Sequence, residues 1–191
     1  MPARNDAALD FLLTRRSRPS KTLSTPVPDR AELEELLTAA LRVPDHKKLE
    51  PWRIVVLGRA ALDALAAGVP ERGRELGVPE EKIAKVQSQY ADSPLAVAVI
   101  LSPTPHPDVP MEEQHYSAGA VCLSLVNAAL AAGWGAQWLS GWASHDEDFA
   151  IAQFGLEPGE KVAGVVHIGT ESSIPPDRPR PDLSQKVTWR L

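Results

Sequence analysis

PLAVAVILSP, residues 94–103, sets seven consecutive apolar residues between two prolines. A run this short, rich in Val and Ile and stopped by proline at each end, reads as a strand covered on both faces, since a half-solvated strand would alternate with polar residues. Residues 112–132 follow with a helical pattern whose second half is apolar on nearly every face: Val121, Leu123, Leu125, Val126, Ala128 and Leu130, with Gly133 as its cap. This predicts a central strand beside a long, buried central helix.

Working outward, Leu9, Leu12 and Leu13 give an apolar stripe on a helix over 6–16 that runs into Arg15, Arg16 and Ser17. Asp29 followed by Glu32 is a helix-start signature, and Leu33, Leu36, Leu37, Ala40 and Leu41 keep helical spacing as far as Pro44. Residues 54–57 read as a short buried strand, 60–67 as a helix and 80–90 as a polar helix. Four prolines make 103–110 a loop. Strands are expected at 136–140 and 161–168, around a helix over 146–154 begun by Ser144 and Glu147 and stopped by Gly155. The last 17 residues carry four prolines and three arginines, an extended composition that needs another surface to lie on. Helices and strands do not alternate strictly, so an α/β or α+β sandwich around one sheet is expected rather than a regular doubly wound fold.

The 191 residues, 43% hydrophobic and 24% charged, suit one domain with one core. A net charge of -5 argues against a general electrostatic hold on nucleic acid or anionic membrane. Cys122 is the only cysteine, which excludes an intramolecular disulfide framework and a CxxC zinc site. The N-terminal residues lack the ordered regions of a signal peptide and no apolar run reaches membrane-spanning length, so a cytoplasmic location is expected. Aromatic residues are only 5% of the chain, yet Trp134, Trp138 and Trp142 fall together.

GxSxG, GxxxxGK[ST] and HExxH are all absent, and the five histidines show no helical pairing for a metal. Gly133 and Gly135 follow a helix, where a dinucleotide fingerprint must follow a strand. Three segments carry chemistry. Arg15, Arg16, Ser17 and Arg18 gather cations and a hydroxyl suited to a phosphate, or to the carbonyls of a helix end. Arg42 to Trp52 is a polar loop stiffened by two prolines, suited to a ligand or to a plain turn. Gly133 to Trp142 combines glycines that allow close backbone approach with indoles that can cover a flat ligand or pack a sheet edge.

In this order and spacing, the three segments resemble the nitroreductase family of FMN-dependent NAD(P)H oxidoreductases. RRS at 15–17 resembles the family's R-x-S element, and VPDHKKLEPWRIVVL at 43–57 its A-P-S-A-x-N-x-Q-P-W loop and following strand. P-D-H-K-x-x-x-P-W, and G-x-x-W-x-S-G at 135–141, are similar to the short YdjA-like subgroup. The resemblance covers roughly residues 6–191. It implies an α+β fold with a mixed central β-sheet flanked by helices, and a C-terminal arm (175–191) crossing to the partner subunit. It also implies a homodimer with FMN at the interface. Arg15, Arg16 and Ser17 would hold the phosphate and ribityl chain, with Arg180 a further phosphate ligand. Arg42, His46 and Glu50 would come from the loop, and the backbone of Trp138, Leu139 and Ser140 would lie along the flavin ring. NAD(P)H would give hydride to flavin N5 and be replaced, in ping-pong fashion, by a nitroaromatic, a quinone or a similar acceptor. Lys47 or Lys48 would stabilise the charge of the reduced flavin. No catalytic side chain and no metal are implied. Glu50 stands where Gln is usual, Lys48 where Asn is, Pro19 where a cation is common, and Leu139 where a relative has Arg. The alternatives are another redox reaction on the same flavin fold, of dehydrogenase or dehalogenase type, and a flavin-binding interaction protein without turnover.

Overall fold

A computed structural model describes residues 3–191. Among them, β1 (Leu23–Ser24), β2 (Trp52–Leu57), β3 (Leu95–Leu101), β4 (Gly135–Leu139) and β5 (Lys161–Glu171) form one sheet. The helices are α1 (Asp6–Thr14), α2 (Arg30–Ala40), α3 (Arg59–Glu75), α4 (Glu80–Ala91), α5 (Met111–Ala131), α6 (Trp142–His145), α7 (Glu147–Phe154) and α8 (Leu183–Lys186). β3 lies between β2 and β5, and β5 also pairs with β1 and β4. All four ladders are antiparallel, so within one chain the sheet is antiparallel where the resemblance implies a mixed one.

Every residue of β3 is buried because both faces of the sheet are covered. Ala96, Ala98 and Ile100 face a core with Leu62, Leu65 and Val69 of α3, Ile83, Val86 and Tyr90 of α4, and Phe149 and Phe154 of α7. Leu95 and Val97 face the opposite core, built from Leu33 and Leu36 of α2 and Leu125, Val126 and Ala129 of α5. Period-two alternation thus serves two apolar layers. The second half of α5 is buried or half-buried everywhere except Leu123 and the terminal Ala131. Trp134 and Trp142 pack the edges of the two cores, Trp142 with its ring centroid 6.3 Å from that of Phe149.

The helix starting at Asp29 has the full capping box, with Asp29 and Glu32 each bonding the other's backbone N–H at 2.9 Å. Other boundaries move. α1 ends at Thr14, two residues before the expected end. The helix expected over 60–67 continues through Pro70 to Glu75. There Val69 is fully buried, and Gly73 lies so close to α4 that a Cβ would stand 2.6 Å from Ile83 Cγ1. Interhelical packing outweighs the hydrogen bond that proline forfeits. α7 is begun by Asp146, which accepts from Phe149 N at 2.9 Å, rather than by Ser144. β5 runs on to Glu171 because β1, too short to read from sequence, pairs with its end.

The 103–110 loop is pinned by the buried Gln114, whose amide donates to Thr104 O and accepts from Thr104 N, each at 2.9 Å. Tail residues 176–191 are exposed throughout. No helix among the described residues is long and apolar enough to cross a membrane.

Arg53 of β2 grips Glu160 with two hydrogen bonds of 2.8 and 2.6 Å, and holds that carboxyl at about 2. The carboxylate form is favoured by folding, so this stabilisation is complete above the ordinary carboxylate range and is lost as pH falls through about 2. Arg53→Met is expected to flatten the acid limb of the stability–pH curve between pH 4.5 and 2, measured by urea unfolding. An unchanged acid limb would show that the pair contributes nothing.

Candidate functional site

The chain leaves α1 at Arg15, with φ -55 and ψ 145, so Arg15, Arg16 and Ser17 lie just beyond the helix. The open C-terminus of α1 is served from the tail: Arg180 Nη2 donates to Leu13 O. Arg15 Nη2 donates to Ser17 Oγ at 3.1 Å, and Arg16 Nε to Pro176 O at 3.3 Å. Tail and segment together enclose a cavity of about 320 Å³ lined by Arg15, Arg16, Ser17, Asp177, Arg178 and Arg180. Four guanidinium groups thus share it with one carboxylate. Burial, then the charge of Arg180, then that of Arg16, lowers the pKa of Arg15. Its Nε is buried without a hydrogen-bond partner. Crowded cations and an unmatched donor are what a bound phosphate would satisfy.

Residues 18–20 then run alongside β4: Arg18 N donates to Ala136 O at 2.9 Å and Ser20 N to Gln137 Oε1 at 2.7 Å. Between them and α4 opens a second cavity of about 430 Å³, lined by Pro19, Ser20, Lys21, Lys85, Gln89, Leu139 and Ser140 among others. Strand alternation turns Trp138 away from it. Its indole crosses Gly164 of β5, where a Cβ would stand 1.8 Å from Nε1. The β3–β5 register shifts at this point, from Val99↔Gly164 to Ile100↔Val162, leaving Ala163 as a bulge. Trp138 lines a different cavity of about 380 Å³ with Leu101, His115, Gly119 and His145.

The 42–52 loop holds three non-glycine residues at left-handed φ: Lys47 at 63°, Lys48 at 55° and Glu50 at 48°. Each costs about 1–3 kcal/mol and persists only where its surroundings impose it. Asp45 supplies much of that constraint, accepting from Glu50 N through Oδ2 at 2.8 Å and from Lys48 N through its carbonyl at 3.4 Å. Ser117 Oγ of α5 donates to Pro44 O at 2.7 Å, and His46 Nδ1 lies 2.6 Å from Glu113. His46 and Asp45 line a further cavity of about 360 Å³ with Glu113 and Tyr116. Arg42 and Glu50 are exposed.

Residues 12–170 match the model of the nitroreductase family. The chain belongs to the nitroreductase family. The Escherichia coli K12 protein named "Putative NAD(P)H nitroreductase YdjA" is 30% identical over 163 residues, covering 85% of this chain and 87% of that one. A nitroreductase-like family protein from Bacillus cereus has the same fold, with a TM-score of 0.79 at 22% identity over 100% of this chain and 98% of that one. So does a Desulfovibrio desulfuricans protein, titled a "putative nitroreductase in complex with fmn", with a TM-score of 0.75 at 18% identity over 99% of each chain.

Within this nitroreductase-family chain, Arg15, Arg16, Ser17 and Arg180 come together in one cavity, and Leu139 and Ser140 lie in a second. Trp138 and His46 each line another, while Arg42 and Glu50 line none of these. Sequence reasoning missed Arg178, visible in hindsight as R-x-R with Arg180, and the α4 wall of Lys85 and Gln89, which carries no motif. Gly164→Ala is expected to cost about 2 kcal/mol, because the new methyl must displace the Trp138 indole. Urea unfolding with tryptophan fluorescence checks it, and wild-type stability with an unshifted emission would exclude the crossing.

Proposed function

We propose that the chain is one FMN-binding domain, with residues 175–191 as an arm, acting as a cytoplasmic, homodimeric FMN-dependent NAD(P)H oxidoreductase. Its acceptors are nitroaromatics, quinones or similar compounds. The observation that carries this reading is the arginine cavity, with its unpartnered Arg15 Nε and mutually repelling guanidinium groups. That donor set fits the phosphate of FMN. The relative named an NAD(P)H nitroreductase and the fold neighbour in complex with FMN support the choice of cofactor and hydride donor.

Arg15, Arg16, Arg178 and Arg180 hold the phosphate, and the Ser17 hydroxyl adds a hydrogen bond to it or to the ribityl chain. The backbone of Trp138, Leu139 and Ser140 lies along the ring system. Arg42, His46 and Glu50 reach the site from the partner, since in their own chain they lie outside the cavities holding Arg15 and Ser140. A second copy also answers the state of α1, which buries none of its side chains and leaves Leu9, Leu12 and Leu13 exposed. A helix of nine residues does not persist on propensity alone. Bound FMN supplies hydride acceptance and release at N5, allowing NAD(P)H and the electron acceptor to use one site in turn. The protein binds, orients and shields, and no side chain acts as acid or base. The buried Cys122, with its thiol pushed up to about 12, is inert packing that suits a reducing compartment.

The purified protein is expected to be yellow, bleached by NADH or NADPH without air, and to scatter light as twice the 20.6 kDa of one chain. A colourless protein that takes up no added FMN sinks the cofactor assignment, and a monomer sinks the dimer. Arg15→Ala and Arg180→Ala are each expected to weaken FMN binding about tenfold or more, the scale of a charge-assisted hydrogen bond. Unchanged affinity in either variant removes that residue from the phosphate site.

A further inference from the structure

Behind the 430 Å³ cavity lies a polar chain for which the phosphate site has no use. His167 of β5 has no exposed surface. Its Nδ1 is 2.8 Å from Ser93 Oγ, and its Nε2 is 3.2 Å from Gln89 Nε2. Ser93 Oγ donates its one proton to Leu95 O at 3.1 Å, a carbonyl that only accepts. Towards His167, Ser93 Oγ is therefore the acceptor, and Nδ1 carries the ring proton. Nε2 is left as a bare lone pair, and the group facing it must donate. That group is the amide NH2 of Gln89. The histidine keeps this role over the neutral range, because burial lowers its pKa to about 4.

The chain Leu95–Ser93–His167 thus selects one of the two orientations of the Gln89 amide. The NH2 points back into the protein, leaving Oε1 as the free end of a side chain that lines the cavity. Around it stand the donors Lys21 and Lys85 and the hydroxyl of Ser140. The one carboxylate lining that cavity, Asp92, takes the hydroxyl of Ser88.

We propose that Gln89 contacts the bound flavin, its Oε1 accepting the N3–H of the pyrimidine ring, with His167 and Ser93 as the positioning residues that fix its amide. The inference rests on the FMN site proposed above. The pyrimidine edge of a flavin presents a carbonyl, an N–H and a second carbonyl, and the wall offers the cationic donors Lys21 and Lys85 together with the Gln89 oxygen. Glu50, placed among the cofactor ligands by family resemblance, sits on the strained loop and does not line this cavity within its own chain.

The test is competitive binding of FMN and 3-methyl-FMN, which lacks the N3–H, to flavin-stripped protein, read by fluorescence quenching. Wild type is expected to prefer FMN about three- to tenfold, the range of one hydrogen bond. Gln89→Ala should bring that preference close to one while leaving 3-methyl-FMN affinity almost unchanged, a pattern that loss of structure would not produce. An undiminished preference in Gln89→Ala overturns the inference and leaves the FMN site standing. Wild-type protein that binds neither flavin overturns both. For the positioning role, the 15N spectrum of the holoprotein should show His167 Nε2 unprotonated, and a protonated Nε2 overturns it without any variant having to fold.

Discussion

β5 has to satisfy three neighbours at once. β3, β4 and β1 all pair with this one strand of 11 residues, and helices cover both of its faces. Side chains along it therefore answer to two cores: Val165 to the α3, α4 and α7 side, Val166 and Ile168 to the α2 and α5 side. At Gly164 the demand changes, since the indole from β4 crosses the strand where a Cβ would collide with it. The bulge at Ala163 sits beside that crossing and shifts the register there by one residue. With the register set, Trp138 lies on one side of β4 and Leu139 on the other, with Ser140 just past the strand end lining the same cavity as Leu139, which separates the indole from the proposed flavin wall.

The second organising constraint is electrostatic and acts against folding. Bringing Arg15, Arg16, Arg178 and Arg180 around one cavity concentrates positive charge, and the lowered pKa of Arg15 records both burial and repulsion. Such a cluster is tolerated because two of the guanidinium groups also serve as backbone donors, Arg180 to the last turn of α1 and Arg16 to Pro176. These contacts tie the tail to the body while leaving the Arg15 Nε unmatched. An anion would relieve a cost that the protein alone retains. The two readings of the arginines, helix cap and phosphate ligand, meet at Arg180, which donates to the last turn of α1 while lining the same cavity as RRS.

What was legible in the sequence follows from what each signal depends on. Residues 95–101 and the second half of α5 read correctly because burial on many sides leaves a composition that water would not permit. The capping box at Asp29 and Glu32 is local chemistry and was equally plain. The extension of α3 through Pro70 was not, because the local rule is overruled by the fit of Gly73 against Ile83, a contact made on another helix. The site divides likewise. RRS was readable as a gathering of cations and Arg180 through the family resemblance, and the structure brings both to one cavity, whereas the left-handed backbone at Lys47, Lys48 and Glu50 has no compositional mark, since none is a glycine. Gln89 and His167 are further from view: a buried histidine on a strand and a glutamine on a polar helix acquire meaning only when the sheet brings them within 3.2 Å.

The separation of these groups bears on why the proposed enzyme would need two chains. A flavin mononucleotide is one rigid ring system on a short phosphate tether, so its ligands must converge on a few hundred cubic ångströms. In a single chain the RRS cavity, the Ser140 cavity and the His46 cavity have no lining residue in common. RRS and Ser140 are joined through the segment at 18–20, which bonds to β4, and one ligand can follow that path. His46 is anchored instead to the exposed N-terminal part of α5 through Glu113, with Ser117 holding the loop beside it. A loop braced so firmly, with three strained residues, is poorly suited to fold over onto its own arginines. Presenting it outward to a second copy asks for no such rearrangement. The same association would cover the apolar stripe of α1, so the proposed site and the stability of its first helix would depend on one surface.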